Sequence, residues 1–418
     1  MLGTMTRAVA RETRGEDARR RLIAAVLDLL RRGGVEAVSA RRLGELAGVS
    51  ASAMNYHFGG RDGLLGAAFG EAAEAAAAWR REALEAAPEE IAPGALAGWL
   101  AALVQDACDE RAYPASVLRE LRQVAGRSGE HAGIAALDLA DADAFWAEVA
   151  ARAGLEPGAG TALGDFAAGA LAIHGRAADW RVELPWLTET CVRLTARLAG
   201  WRDDLPGWDG WRAQAQARAA QPAAATQPGP ASVERMLDAA VALVGEAGAE
   251  GLTHRAVALR AGASLAGVTH HFPTRAALVR RTFRALYDRV RASAPPPGPE
   301  PLPRLGPQAL AREIAEALVD DAGAVNRGVL GLNELMLAAA RDPALRAEVG
   351  DLRAARGEGG FEAIRRLDVT HSAPDRLDAH MASATIGGAI QAACAAPPPA
   401  RREMLAGRLE RSLTALFA

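Results

Sequence analysis

The sequence predicts an all-α protein built from two copies of one helical unit, and three observations carry that expectation. Alanine is abundant and aromatic residues make up only 5% of 418 residues, a composition that favours helices over sheets. Apolar residues recur at helical spacing, as in Leu22, Val26, Leu29 and Leu30. The chain also repeats itself: Ser50/Ser264, His57/His271, Phe58/Phe272, Arg61/Arg275 and Leu64/Leu278 are each 214 positions apart. That register runs without gaps from Arg21/Arg235 through Gly34/Gly248, Arg41/Arg255 and Gly48/Gly262 to Phe69/Phe283. It returns in LRELRQVA (118–125) against LNELMLAA (332–339), where Glu120 matches Glu334.

The elements follow in order. The stripe Leu22, Val26, Leu29, Leu30 marks a first helix, which Gly33-Gly34 stops. Ser39 stands where an N-cap is wanted, ahead of Leu43 and Leu46, and Thr253 does the same ahead of Val257. Gly48 interrupts before Ser50 caps a third helix; Gly262 and Ser264 repeat the pair. Two short helices joined by a glycine-containing turn after a longer helix have the spacing of a helix-turn-helix. On the third helix Met54 and Phe58, four apart, face inward against Leu43 and Leu46. This turns Ala51, Ser52, Asn55 and Tyr56 outward. In the second copy Val268 and Phe272 face inward, with Leu265, Ala266, Thr269 and His270 outward. Small residues at the helix start permit close approach to a groove wall. Asn, Thr, Tyr and His supply hydrogen-bonding groups for base edges and phosphates, and the helix N-terminus favours phosphate.

The runs VSASAMNYHFGGRDGLL and AGASLAGVTHHFPTRAALV resemble the DNA-binding head of the TetR/AcrR family of bacterial transcriptional regulators. The capping Ser or Thr, the Ala-Gly turn, the His-Phe pair, the Arg three residues on and the following Leu are present twice. One position departs: the aromatic residue common before the last turn of the third helix is Asn55 in one copy and Thr269 in the other. Tyr56 and His270 lie one residue later. The resemblance implies a three-helix head, a fourth helix linking it to the body, and a larger helical domain that binds a small ligand and dimerises. It divides the chain into heads at 1–70 and 233–290, bodies at 71–211 and 291–418, and a flexible Pro/Gln/Ala connector at 212–232. The DNA-facing set is then Ser39, Arg41, Ser50, Ala51, Ser52, Asn55, Tyr56, His57 and Arg61 in the first head. In the second it is Thr253, Arg255, Ser264, Leu265, Ala266, Thr269, His270, His271 and Arg275, with Arg41, Arg61, Arg255 and Arg275 holding phosphates.

The bodies carry weaker motifs. FAAGALAIHGRAADW (166–180) with LPWLTETCVRLTARL (184–198) resembles the family's last two helices, and MASATIGGAIQAACAA (381–396) with REMLAGRLERSLTALF (402–417) is the second copy's pair. In the family these pack as a four-helix bundle across a dimer interface. Gly169, Gly387 and Gly388 let helices approach closely, in an interface or in an internal core. All eight tryptophans lie in the first copy, so the bodies have diverged more than the heads. Trp99, Trp146 and His174 are candidate walls of a ligand pocket; filling an aromatic-poor core is the plainer reading. Glu120 and Glu334 share a repeat position and read as paired surface or helix-packing carboxylates rather than catalytic acids; both also count among the candidate ligand contacts.

Other function classes find little in the sequence. The net charge is −3, yet residues 1–70 hold eleven arginines against seven acids and residues 231–290 eight against five. With no lysine anywhere, every such cation is a guanidinium. Cys108, Cys191 and Cys394 are widely spaced and read as buried free thiols. No zinc spacing, GxSxG, phosphate loop or HExxH is present, which argues against an enzyme, a metal and a cofactor. No apolar run suits a membrane span or a signal peptide, so the expected location is the cytoplasm. The expected protein is a ligand-responsive repressor whose halves pair as an intramolecular pseudo-dimer. Its partners would be a double-stranded DNA operator with unlike half-sites and a small-molecule effector. The rivals are a homodimer of tandem chains, a regulator with one DNA-competent head, and a helical protein that binds or modifies a small molecule.

Overall fold

The computed structural model describes residues 2–49, 51–108, 113–175, 179–201, 210–218, 230–292, 303–343, 346, 350–357, 360–369 and 373–418. It is 81% helical, with isolated bridges at Leu305–Leu367 and Val319–Val325 and no strand among the described residues. The first head is α1 (Leu2–Gly33), a 3-10 turn over Val35–Ala37, α2 (Ala40–Ala47) and α3 (Ala51–Phe58). The first body follows as α4 (Arg61–Ala86), α5 (Pro93–Cys108), α6 (Tyr113–Ser128), α7 (Ala132–Arg152), α8 (Gly158–His174) and α9 (Trp180–Leu198). After α10 (Gly210–Arg218) the second head forms from α11 (Ala231–Ala247), α12 (His254–Ala261) and α13 (Leu265–His271). The second body runs through α14 (Arg275–Ala292), α15 (Pro307–Leu318), α16 (Arg327–Arg341), α17 (Gly350–Ala354), α18 (Phe361–Ile364), α19 (Arg376–Ala393) and α20 (Arg401–Phe417).

Three expectations about organisation change. The expected connector begins as α10, on which Arg212 is buried and donates from Nη1 to the Ala354 carbonyl at 3.0 Å. The stretch thus docks as a helix, with Trp211 and Ala215 packed on the core and one guanidinium at a buried acceptor. The rest of that stretch, 219–229, lies outside the described residues. The helices α4 and α14 run without a break across the expected boundaries at 70 and 290, so head and body share a rod in each copy. Leu46 is 53% exposed; Ala47, four residues after Leu43, takes the buried place on α2.

Each head shares its core with its own body. Leu22, Val26, Leu30, Leu43, Leu64 and Phe69 pack with Val117, Leu121 and Val124 of α6. The second head packs Leu237, Val244, Val257, Val268 and Phe283 with Leu335 and Met336 of α16, the equivalent helix.

The two bodies share a third core. Phe166, Ile173, Trp186 and Leu194 of α8 and α9 pack with Met381, Ile390, Leu405, Leu409 and Phe417 of α19 and α20. The crossing of α8 with α19 is reciprocal. A Cβ on Gly169 would lie 1.8 Å from the Ala384 carbonyl oxygen, and a Cβ on Gly388 would lie 1.8 Å from that of Asp165. Asp165 precedes Gly169 by four residues just as Ala384 precedes Gly388, so the backbones touch at two related places where no side chain fits.

Ion pairs repeat the reciprocity. Arg193 and Arg197 of α9 reach the buried Asp378 of α19 at 2.9 and 2.7 Å, and Arg408 of α20 reaches Asp165 of α8 at 2.7 Å. Nearer the heads, Arg127 of α6 pairs with Glu334 of α16, and Arg341 of α16 pairs with Glu120 of α6.

Candidate nucleic-acid interface and ligand cavity

In the first head the Ser39 hydroxyl accepts from the Arg42 amide at 3.4 Å and starts α2. Gly48 then turns the chain at φ 63°, the left-handed conformation that glycine adopts without cost, and releases it towards α3. The second head repeats this: Thr253 accepts from the Ala256 amide at 3.1 Å, Gly262 sits at φ 61°, and the Ser264 hydroxyl accepts from the Gly267 amide at 3.0 Å. Ser50, the expected cap of α3, and the side chain of Ala51 lie outside the described residues.

The third helices present the expected faces. Met54 and Phe58 are partly buried against the first head's core, and Val268 and Phe272 are fully buried in the second. Ser52, Asn55 and Tyr56 are exposed, Tyr56 at 80%. Their second-head counterparts Leu265, Ala266, Thr269 and His270 are exposed too, Leu265 at 52%. The Thr269 hydroxyl donates to the Leu265 carbonyl at 2.9 Å. His57 and His271 are half-buried beside Tyr56 and His270 respectively.

The four arginines divide. Arg41 is exposed, with Glu45 at 3.7 Å one helical turn on, and Arg255 is exposed as well. Arg61 instead turns into its head, donating from Nε to the Val38 carbonyl at 2.9 Å and from Nη2 to that of Val35 at 2.7 Å. Arg275 makes the equivalent bond to the Ala249 carbonyl at 3.2 Å. These two guanidiniums pin the turn after the first helix, so their first task is within the head.

Glu120 and Glu334 are buried. Besides pairing with Arg341, Glu120 accepts from the Val35 amide at 3.3 Å, beside Gly34. Glu334, paired with Arg127, lies beside Gly248 in the same way. Glu120 therefore ties the turn of its own head to an arginine of the other half, and Glu334 lies against its own head's turn while paired across the halves. A sign of this was present in the sequence: Arg127 and Arg341 follow their glutamates by seven residues, on the same helix face, in the repeat register.

A cavity of about 390 Å³ lies in the first body beneath its head. Ala75, Ala76, Trp79 and Arg80 of α4 form one wall, Leu118 and Arg119 of α6 another, and Trp146 of α7 a third. Gly388, Ala392 and Arg408 from the second half close it. Of the aromatic candidates only Trp146 borders the cavity. Trp99 is partly buried against Phe145, with ring centroids 6.5 Å apart. His174 is buried elsewhere: its Nδ1 donates to Glu183 at 2.8 Å, and its ring meets Trp186 at 4.5 Å. Arg353 of the second half joins Glu183 at 3.3 Å, and the His380 ring also packs on Trp186, with centroids 5.1 Å apart. Burial lowers the His174 pKa against the pull of Glu183, and it takes His380 down to about 3. Burial likewise pushes the Cys108 thiol up to about 12 and that of Cys394 to about 11, so neither is a ready nucleophile.

Among the described residues no group of His, Cys, Asp and Glu is arranged to hold a metal, and no helix is long and apolar enough to cross a membrane. No curated protein matches the chain. The family model for bacterial regulatory proteins of the tetR family matches residues 22–68 and again residues 236–282, the two heads in the same repeat register. The chain therefore carries two tandem DNA-binding domains of the tetR family, the mark of a DNA-binding transcriptional regulator.

Proposed function

We propose that the chain is an effector-responsive repressor whose two heads bind one operator as an intramolecular pseudo-dimer, in the cytoplasm. The observation that carries this reading is the crossed pairing of Arg127 with Glu334 and Arg341 with Glu120, which joins the halves beside the turn of each head. Two-fold dimers place paired recognition helices in successive major grooves and read palindromes. Here the outward faces are Ser52, Asn55 and Tyr56 against Leu265, Ala266, Thr269 and His270, so the two half-sites differ. Arg41 and Arg255 contribute phosphate contacts that position the heads without specifying sequence. An effector in the first-body cavity touches α4, the rod of the first head, and also α19 and α20 of the second half. It favours a head placement that no longer matches the groove spacing, and operator affinity falls.

Selection of bound sites from random DNA tests the reading, together with light scattering on the full chain. Two unlike half-sites and a single-chain mass are expected; a perfect palindrome bound at doubled mass refutes it.

A second reading, with one DNA-competent head, draws on Leu265 and Ala266, which offer no side-chain hydrogen bond, and on the Thr269 hydroxyl donating to its own helix. It predicts that the double substitution Asn55→Ala/Tyr56→Ala abolishes binding while Thr269→Ala/His270→Ala leaves it unchanged.

A further inference from the structure

Four arginines line the first-body cavity, and their partners differ. Arg80 holds Asp138 at 2.8 Å and Asp141 at 2.6 Å, and Arg122 reaches the other oxygen of Asp138 at 2.6 Å. Arg408 holds Asp143 and Asp165 at 2.8 and 2.7 Å. Arg119 is different. It is 7% exposed, and its nearest acceptor is the Leu171 carbonyl at 3.4 Å, with no carboxylate partner among the described residues. Glu120, its chain neighbour, is committed to Arg341 and the Val35 amide. Asp106, an exposed lining acid, accepts from the Trp79 indole at 2.7 Å. Arg119 is therefore the one lining guanidinium without a carboxylate partner among the described residues. A buried cation without a counter-ion is costly, and an anion that replaces water there recovers a charge-assisted, bidentate pair.

The rest of the wall is apolar. Leu118, Leu139, Leu171, Phe145 and Trp146 surround the cavity, whose 390 Å³ is in the range that encloses a small organic ligand. The second half is not its equal. The repeat position of Arg119 is occupied by Asn333, which lines a cavity of about 160 Å³ bordered by the half-buried Arg356. That space is too small for the same occupant.

We propose that the first-body cavity takes one organic anion per chain, its acid group paired with Arg119 and its apolar or aromatic body against Trp146, Phe145 and Leu118. This deepens the effector reading above and rests on it for its regulatory meaning, though not for the binding itself. Burial takes the Arg119 pKa down to about 10, still far enough above neutrality for a charged guanidinium at physiological pH.

The test is calorimetric titration of the full chain, without DNA, with two matched probes: 1-naphthaleneacetate and its neutral analogue 1-naphthaleneacetamide. The acetate is expected to bind at one site per chain and at least tenfold more tightly than the amide. Arg119→Met should erase that preference while leaving amide affinity unchanged, and Arg119→Lys should retain part of it. Equal affinities for the two probes, no saturable binding of the acetate, or a preference that survives Arg119→Met overturns the assignment. If Arg119→Met does not fold, the matched pair on the unaltered chain decides. DNA binding by the ligand-free chain is measured separately, so a failed anion assignment and a failed operator reading are distinct results.

Discussion

Arg127 pairs with Glu334 across the two halves of one chain, and the pair has a counterpart 214 positions away in Arg341 and Glu120. Both glutamates are buried, so removing an arginine leaves a buried carboxylate without its counter-charge. Arg341→Met is expected to destabilise the chain by about 3–5 kcal/mol, and Arg341→Met/Glu120→Met by clearly less. Denaturant unfolding of the two single variants and the double variant measures this. Additive losses would show that the residues do not interact.

The α8–α19 crossing predicts a sharp contrast between glycines. Gly169→Ala and Gly388→Ala place a methyl inside van der Waals contact with a carbonyl and should each cost about 3 kcal/mol, the upper part of the overpacking range. Gly98→Ala on α5 meets no atom within 4 Å and should stabilise by about 0.5–1 kcal/mol through helix propensity. Thermal unfolding midpoints that move the same way for all three would contradict the crossing.

Arg41 and Arg61 separate DNA contact from head integrity. Arg41→Ala should leave stability unchanged and reduce the salt dependence of DNA binding by about one phosphate contact. Arg61→Ala loses two bonds to carbonyls at the turn and should destabilise the first head by about 1–3 kcal/mol. Binding isotherms at several salt concentrations, paired with unfolding curves, distinguish the two residues.

Acid should loosen the contact between the halves. His174 and His380 are both buried against Trp186 with depressed pKa values, His380 to about 3. Unfolded histidine binds a proton near pH 6.5 and these folded ones do not, so stability present above pH 6.5 is lost as pH falls below it. Each imidazole contributes a slope of up to about 1.4 kcal/mol per pH unit. Asp165, pushed up to about 6 by burial against the pull of Arg408, acts in the opposite sense between about pH 4 and 6 and offsets part of the loss. Unfolding midpoints should drop from pH 7.5 to 5.5, and a His174→Gln/His380→Gln variant should show a flatter profile.

The heads were legible because their signals are local. A capping hydroxyl, a left-handed glycine and two apolar residues four apart fix α2 and α3 within about twenty positions, and the repeat supplied a second reading of each. The contacts between halves were not legible in this way, since Asp378 and Arg193 carry no mark that pairs them across 185 positions. Arg119 differs again. It stands out because no carboxylate among the described residues pairs with it, which no residue pattern records. The bonds of Arg61 to the turn were not legible either, because an exposed cation beside the third helix and a cation that pins a turn have the same spacing.

The reciprocal crossing at Gly169 and Gly388 has a genetic consequence. In an assembly of identical chains, one codon change alters both sides of a two-fold contact, and a favourable change on one side is also imposed on the other. With both sides encoded separately, Asn333 can stand where its twin is Arg119, and Thr269 where its twin is Asn55, without either half answering for the other. The covalent repeat lets a symmetric scaffold accumulate unequal sites one substitution at a time.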